Sequence, residues 1–473
     1  MYVEKRMISL LLVMVLMFGV LLGSRMEIRQ PMEKEPEESW SSIKETIYVW
    51  YSDEALSGYI GTAAVNFGEA EGVRVIPVLQ SADRFLEEVN DAAMDPEKQM
   101  PDAYVINNDE LEKAYLAGLA TQILDPNGVV SEKNLPGTAL SAVTYNGRKV
   151  AYPFYFDTSV LVYNKDYLRM WVEQQEERAA QGEELPPEDG EYFSENGGIG
   201  NPEEGEVVAE DIPLESIIRT DGLPLTVDGI LHFADTIDVP DGVDGVMKWD
   251  VSDIFYNYWI VGAYLKVGGD NGDDYNNIHI YNDEVISCLE VYQALNQFFY
   301  IESDKVNYES AVQDFVDGKI VFTIGSTDIL QRLETAKEEG SFAFDFGLAT
   351  LPQVSTQLGS RTLSVTNAVA INGYSRHKDL ANRFAEYLTR DFAEELYGRS
   401  GKVSVFASVD WGDEMLKVFH AQYKESVSLP KMMEIGNLWL MLEALFSKVW
   451  NGEEVLPLVQ ELENQVSTQI LLE

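Results

Sequence analysis

The residues best suited to gripping a small hydroxylated molecule are concentrated in Gly147 to Leu168, reading G-R-K-V-A-Y-P-F-Y-F-D-T-S-V-L-V-Y-N-K-D-Y-L. Tyr152, Phe154, Tyr155 and Phe156 offer ring faces, and Asp157 follows them with one carboxylate. Ring faces pack against the C–H faces of a pyranose, and a carboxylate accepts its hydroxyl protons. This is recognition chemistry and not bond-breaking chemistry. Glycoside hydrolysis needs two carboxyls placed across one bond with one pKa raised, and Asp157 shows no such partner in the sequence. His232, His279, His377 and His420 all lie outside recognisable Ser–His–Asp contexts. The sequence is therefore read as that of a binding protein and not an enzyme, with no cofactor expected. Asp270, Asp273 and Asp274 lack the D-x-D-x-D-G spacing and distal glutamate of a calcium loop. A hairpin or loop of turn formers is expected there instead, and no metal.

The elements that must carry this chemistry can be read on either side of it. Asn146-Gly147 is a type I′ turn signal, so Lys149 to Pro153 reads as the second arm of a hairpin. Ser159 to Tyr163 contains the continuous apolar run Val160-Leu161-Val162 and predicts a buried strand, after which Asn164 and Asp166 open a helix. A segment that is strand on both sides, with rings and a carboxylate between, suits a hinge between two α/β lobes. Upstream, Thr46 to Trp50 is a first strand, and Asp53 is placed to cap a helix carrying Leu56, Tyr59, Ile60, Ala63 and Phe67 on one face. Val73 to Val78 and Pro101 to Ile106 are further strands, each followed by a helix. That alternation predicts a parallel doubly wound sheet, whose ligands bind at the carboxyl ends of its strands. Asp53, Asn107 and Asp109 stand at those ends. Ser252 to Trp259 is aromatic on every face of a helix, so some rings, with Tyr256 and Trp259 as candidates, are expected to face a cleft.

Composition bounds the rest. The 473 residues are 45% hydrophobic, ample for two or three cored domains, and the net charge of −46 excludes a basic footprint for nucleic acid or anionic lipid. A neutral or cationic ligand remains. The single cysteine, Cys288, sits within a helical pattern and reads as a buried thiol. Lys5 and Arg6 precede the apolar run Met7 to Leu22, the pattern of an export signal, with residues 1–24 either cleaved or kept as a membrane anchor. Residues 25–45 read as an acidic linker. A second acidic segment, 172–224, is read as an insertion, and Glu173 to Asp211 within it shows no sustained apolar period.

The run Y-N-G-x-x-x-A-Y-P followed by S-x-L-x-Y-N-K-D resembles the first lobe-crossing segment of the extracellular solute-binding proteins of family 1, the maltose-binding-protein-like receptors of ABC importers. The likeness continues collinearly. The helix from Tyr308 to Gly318 and the strand that follows it to Gly325 resemble the family's F-x-x-G-K-x-A-M-x-x-G signature, Phe346 to Pro352 its strand into a proline, and Leu363 to Ile371 its second crossing. The resemblance implies a two-lobed periplasmic-binding-protein-like fold of type II, with lobes joined by a hinge over an interlobe ligand cleft. Lobe 1 is expected at 46–155 and 366–420, and lobe 2 at 156–365 and 421–473.

It also implies residue roles. The family has an acidic sugar ligand where this chain has Asp157, and a stacking tryptophan where this chain has Asp328. In the C-terminal stripe of Leu438, Leu442, Leu445 and Val449, Trp439 and Glu443 stand to one side, and Trp439 matches a principal stacking tryptophan. Trp450, beside Val449 near the helix end, is expected in the core. The implied function is an extracellular receptor for an oligosaccharide, delivering it to ABC permease subunits, as a monomer. Two alternatives stay open: a membrane-tethered ligand sensor, and a receptor for a cation such as a polyamine, held by the same rings and carboxylates. The expected site is Asp53, Asn107, Asp109, Tyr155, Phe156, Asp157, Tyr256, Trp259, Asp328 and Trp439.

Overall fold

The computed structural model of the chain describes residues 45–182, 213–407 and 414–472. The N-terminal apolar run, the acidic linker up to residue 44 and most of the acidic insertion lie outside them. Strands that alternate with helices in the first hundred described residues form the start of a large sheet. Thr46–Tyr51 pairs in parallel with both Arg74–Leu79 and Ala103–Asn107. The sheet continues from Ala103–Asn107 through Leu363–Ile371 and Ala151–Thr158 to Val403–Ser404, and these last three join it antiparallel. Val427–Ser428 pairs with the start of Leu363–Ile371.

A second sheet runs Phe346–Ala349, Val160–Asn164, Ile320–Gly325 and Gly245–Met247. Only Ser159 separates Ala151–Thr158 in the first sheet from Val160–Asn164 in the second. The expected hinge segment is thus a strand-to-strand crossing. The return path leads from Phe346–Ala349 to Leu363–Ile371. We refer to Ala151–Thr158 and Leu363–Ile371 as the first and second crossing strands. Val160 and Val162 pack into a core shared with the first sheet, whereas Leu161 faces the core around the C-terminal helices. A strand covered on both faces needs a continuous apolar run, which is what this one has.

Local signals explain the joints. Asn146 and Gly147 both have positive φ, 47° and 71°, as the type I′ turn requires. Asn164 caps the helix Lys165–Gln181 by accepting from Asp166 N at 2.9 Å. That helix corrects the sequence reading, because it runs nine residues into the segment taken to lack periodic structure. Its first turns bury Tyr167, Leu168 and Trp171, but the part within that segment docks through polar side chains. Gln174 exchanges hydrogen bonds with Asp238 O and Asp238 N, and Gln175 and Arg178 donate to Thr236 O. Apolar periodicity cannot register a face held by side-chain amides.

The aromatic segment also differs from expectation. It forms a single α-turn, Ile254–Asn257, and then a 3-10 turn, Tyr258–Ile260. The chain then passes so close to the approach of the second crossing that a Cβ on Gly262 would lie 2.1 Å from Arg361 O. At the C-terminus, Leu438–Trp450 buries Leu438, Leu442, Leu445 and Val449, with Val455–Leu472 packed beside it. Among the described residues no helix is long and apolar enough to cross a membrane.

Candidate functional site

Beyond an irregularity at Phe154, where the register with the second crossing strand shifts, strand alternation sends Tyr155 and Asp157 of the first crossing strand to one face and Phe156 to the other. At the level of Tyr155 the sheet register aligns Asn107, Asn367, Tyr155 and Ser404 on four adjacent strands. Beyond the edge strand, Lys402 places its ammonium 5.4 Å from the Tyr155 ring centroid and 2.7 Å from Asp53 Oδ2. Asp53 meanwhile caps the 3-10 turn Glu54–Leu56, accepting from Ala55 N at 3.0 Å. The first crossing and the end of the first strand thus meet through one lysine.

Asp157 faces the second sheet. Thr327, just past the end of Ile320–Gly325, donates its hydroxyl to Asp157 Oδ1. Asp328 follows, accepting from Tyr308 Oη at 2.9 Å and from Ser326 Oγ at 2.5 Å. Tyr256 stacks on Tyr308 with centroids 4.8 Å apart and planes 12° from parallel, and its hydroxyl lies 3.5 Å from Ser326 Oγ. Arg332 covers the Tyr308 ring at 5.3 Å while pairing with Glu309. The result is a continuous polar and aromatic cluster from Asp53 through Lys402, Tyr155, Asp157 and Asp328 to Tyr308 and Tyr256, with Tyr155 and Tyr256 themselves buried.

The charges on it are shifted for identifiable reasons. Burial lifts the Asp157 carboxyl above the usual range, against the Thr327 bond and the Lys402 charge, and Asp328 and Asp53 add to the lift. Burial pulls the Lys402 amine down, but its bond to Asp53 and the charges of Asp157, Asp53 and Asp328 outweigh that and leave it above the ordinary value. Burial raises the Tyr256 and Tyr308 phenols, with Asp328 contributing to both. The two phenols and the Lys402 ammonium therefore hold their protons.

Trp439 is half-buried near the start of its helix, its ring edge-on to Tyr258 at 6.2 Å. One turn on, burial and the charges of Asp253 and Asp250 hold the Glu443 carboxyl above its usual range. Asp250 in turn accepts from Tyr308 N at 3.0 Å, so this patch is linked to the Tyr308 end of the surface. Trp450 is 1% exposed, donates to Ile301 O at 3.0 Å and meets Trp249 edge-on at 5.7 Å.

Not every candidate joins the group. Phe156 is fully enclosed, stacked on Tyr423 at 3.9 Å with His420 at its edge, because alternation turns it away from Tyr155. Trp259 is 1% exposed and faces the core, because the 3-10 turn changes the helical phase of the segment. Asn107 is exposed at its strand end. Asp109 lies in the turn Asn108–Glu110, its carboxyl raised by burial, and no bond joins it to Asp157 or Asp328. Its neighbour Asn108 is a fastening residue, donating to Leu429 O and accepting from Thr366 N.

Sequence reasoning missed Lys402, Tyr308, Ser326, Thr327 and Asn367. Ser326 and Thr327 were within reach, since they follow a buried strand just as Asp53 does, and strand ends are where such sheets bind. Lys402 and Tyr308 carry no local signal.

The family model for bacterial extracellular solute-binding proteins matches residues 97–394. No curated protein matches the chain. Among solved structures, an extracellular solute-binding protein from Staphylococcus aureus in complex with maltose is 18% identical. It superposes with a TM-score of 0.69 over 90% of this chain and 98% of its own. A cyclo/maltodextrin-binding protein complexed with maltotetraose gives 16% and 0.67, over 90% and 97%. A maltose-binding periplasmic protein from Listeria monocytogenes in complex with maltose gives 16% and 0.65, over 91% and 98%. At these identities the likeness is one of fold.

Proposed function

The chain belongs to the bacterial extracellular solute-binding proteins, and from that premise we propose that it is the receptor of an ABC importer, capturing an oligosaccharide between its two lobes. The observation that carries this reading is the continuous cluster in which Tyr155, Asp157 and Asp53 on the first sheet's side meet Thr327, Asp328, Tyr308 and Tyr256 on the second's. Rings for sugar faces and acceptors for sugar hydroxyls stand in one place, on two bodies that can close on what they hold. The named ligands of the structural neighbours, maltose and maltotetraose, agree with it.

In this reading the lobes divide within the crossing strands, as 46–155 with 366–420 and 156–365 with 421–473, so that Asp157 sits on the joining strand where it leaves the first sheet. The ligand contacts both lobes only when they approach, so binding shifts the population toward a closed form without covalent chemistry. Asp157 accepts from a sugar hydroxyl, Lys402 donates, Trp439 provides the stacking face, and Tyr155, Tyr256 and Tyr308 line the group as rings already packed against Lys402 and each other. Asn107 borders this group, and Asp109 serves the site only if closure brings it near. The protein acts as a monomer, is exported through its N-terminal run, and passes its ligand to permease subunits.

The test is a thermal-shift and calorimetric screen of maltose, maltotriose and maltotetraose against the polyamine spermidine. A ligand at a hundred times its Kd stabilises by about 2.7 kcal/mol. At saturation, small-angle scattering should show compaction. A screen in which no saccharide stabilises the protein while spermidine does would replace the saccharide with a cation.

A further inference from the structure

We infer that Lys402 is a built-in ammonium occupying the aromatic and carboxylate seat of the cleft, so that the receptor takes a neutral, hydroxyl-rich ligand and turns cationic ligands away. The inference rests on the cleft proposed above and names what decides its ligand charge. A ring face with carboxylates around it is the arrangement that recognises an ammonium group. Here the Tyr155 ring lies 5.4 Å from the Lys402 Nζ, Asp53 Oδ2 is 2.7 Å from it, and Asp157 and Asp328 act on the same charge. A free amine entering the cleft would find its best seat filled by the protein.

The chain is built to deliver that amine. The helix Leu396–Ser400 ends at Gly401 with φ of 69°, a left-handed cap that reverses the backbone, and Lys402 N then donates to Ser400 Oγ at 3.3 Å. A Cβ on Gly401 would meet Gln331 Oε1 at 2.5 Å, so the turn is close-fitting as well as left-handed. Val403–Ser404 then pairs with Tyr155 and Phe156, which fixes the strand carrying Lys402 beside the ring it covers.

Charge counting shows what the amine does. Asp53, Asp157 and Asp328 bring three carboxylates to this end of the cleft. Among the described residues the other cation at Asp328 is Arg332, which donates to its Oδ2 at 3.4 Å and gives hydrogen bonds from both terminal nitrogens to Glu309. Without Lys402 the seat would keep its ring and its carboxylates and lose its occupant. A purely structural lysine, by contrast, could be removed with no change in which ligand charge is accepted.

Calorimetry with two probes, maltotriose and spermidine, on the wild-type protein and on Lys402→Met, Lys402→Gln and Lys402→Arg tests this. The expected result is an increase of about tenfold or more in spermidine affinity for the Met and Gln variants. Lys402→Arg should stay like the wild type, since the guanidinium refills the seat. The inference is overturned if wild type binds spermidine as tightly as the Met variant, or if the folded Met and Gln variants gain nothing. It is overturned as well if neither of them folds, because Lys402 is then a strut. Maltotriose reads the saccharide proposal separately. A wild type that binds neither probe, with spermidine gained by Lys402→Met, would sink that proposal and leave this assignment standing.

Discussion

Two tryptophans on one helix show how much a single residue's surroundings decide. Trp450 is enclosed by Trp249, Tyr292 and the Ile301 carbonyl, whereas Trp439 keeps part of its ring free beside Tyr258. Trp450→Ala should therefore cost about 3–5 kcal/mol of folding stability in urea titration while the folded fraction binds ligand normally. Trp439→Ala should leave stability nearly unchanged and, if its ring stacks on ligand, weaken binding by about 2 kcal/mol or more. Normal binding by Trp439→Ala with lost binding in Trp450→Ala would reverse the assignment. The distinction was legible in the helical spacing, which puts Trp439 beside the stripe and Trp450 next to Val449. Asp157 was singled out as the carboxylate that follows the rings, and the structure sets it on the face of Tyr155. Phe156 was misplaced because its ring counted as a candidate before its parity did. Lys402 was illegible for a different reason: it meets Asp53 across 349 positions of sequence, and only the packing of the helix Leu396–Ser400 on the turn Glu54–Leu56 brings them together.

At the scale of elements, the crossings were the most readable part of the chain. Leu363–Ile371 has the bounds that the resemblance to the family's second crossing implied, and Val160–Asn164 starts and ends within a residue of expectation. What could not be read was how elements press on one another. Arg361 ties three segments at the entrance to the second crossing. Its N–H donates to Trp259 O, and its guanidinium donates to Glu425 O and Ser426 O. Gly262 fits against this knot, since a Cβ there would lie 2.1 Å from Arg361 O and 2.8 Å from the Tyr258 ring. Because a backbone carbonyl cannot swing away as a side chain can, Gly262→Ala should destabilise by about 1–3 kcal/mol in chemical denaturation. An unchanged midpoint would mean that the entrance to the crossing yields. The glycine's own φ is not positive, so the cost expected here is one of contact and not of backbone strain.

At the scale of the whole molecule, a second junction between the two sheets' elements lies at Lys431. Its ammonium donates to Ser141 O at 2.8 Å, in the helix Gly137–Val143, and to Asn271 O in the hairpin of Lys266–Gly268 and Asp274–His279. Its backbone N donates to Gly272 O at 2.7 Å, and nearby Glu112 accepts from Tyr275 Oη and Met433 N. Lys431 is 1% exposed, and burial lowers its amine from 10.5 to about 8, with Asp273 and Glu112 opposing the fall. The sign of the linkage follows from this depression. Below about pH 8 the amine is protonated in both folded and unfolded chains, and the full cost of burying the charge is present. Between about 8 and 10.5 the folded chain has released the proton while the unfolded chain still holds it, so stability attributable to this group rises with pH. Over that interval the gain is about 3 kcal/mol at about 1.4 kcal/mol per pKa unit. Other groups titrate in the same range, so the comparison must be with a variant that lacks only this amine. Lys431→Met should remove the rise: its urea midpoint should climb less than that of the wild type between pH 8 and pH 10, by an amount equivalent to about 2–3 kcal/mol. Parallel pH profiles for the two proteins would show that the junction lets water reach the amine and that Lys431 titrates as an ordinary surface lysine.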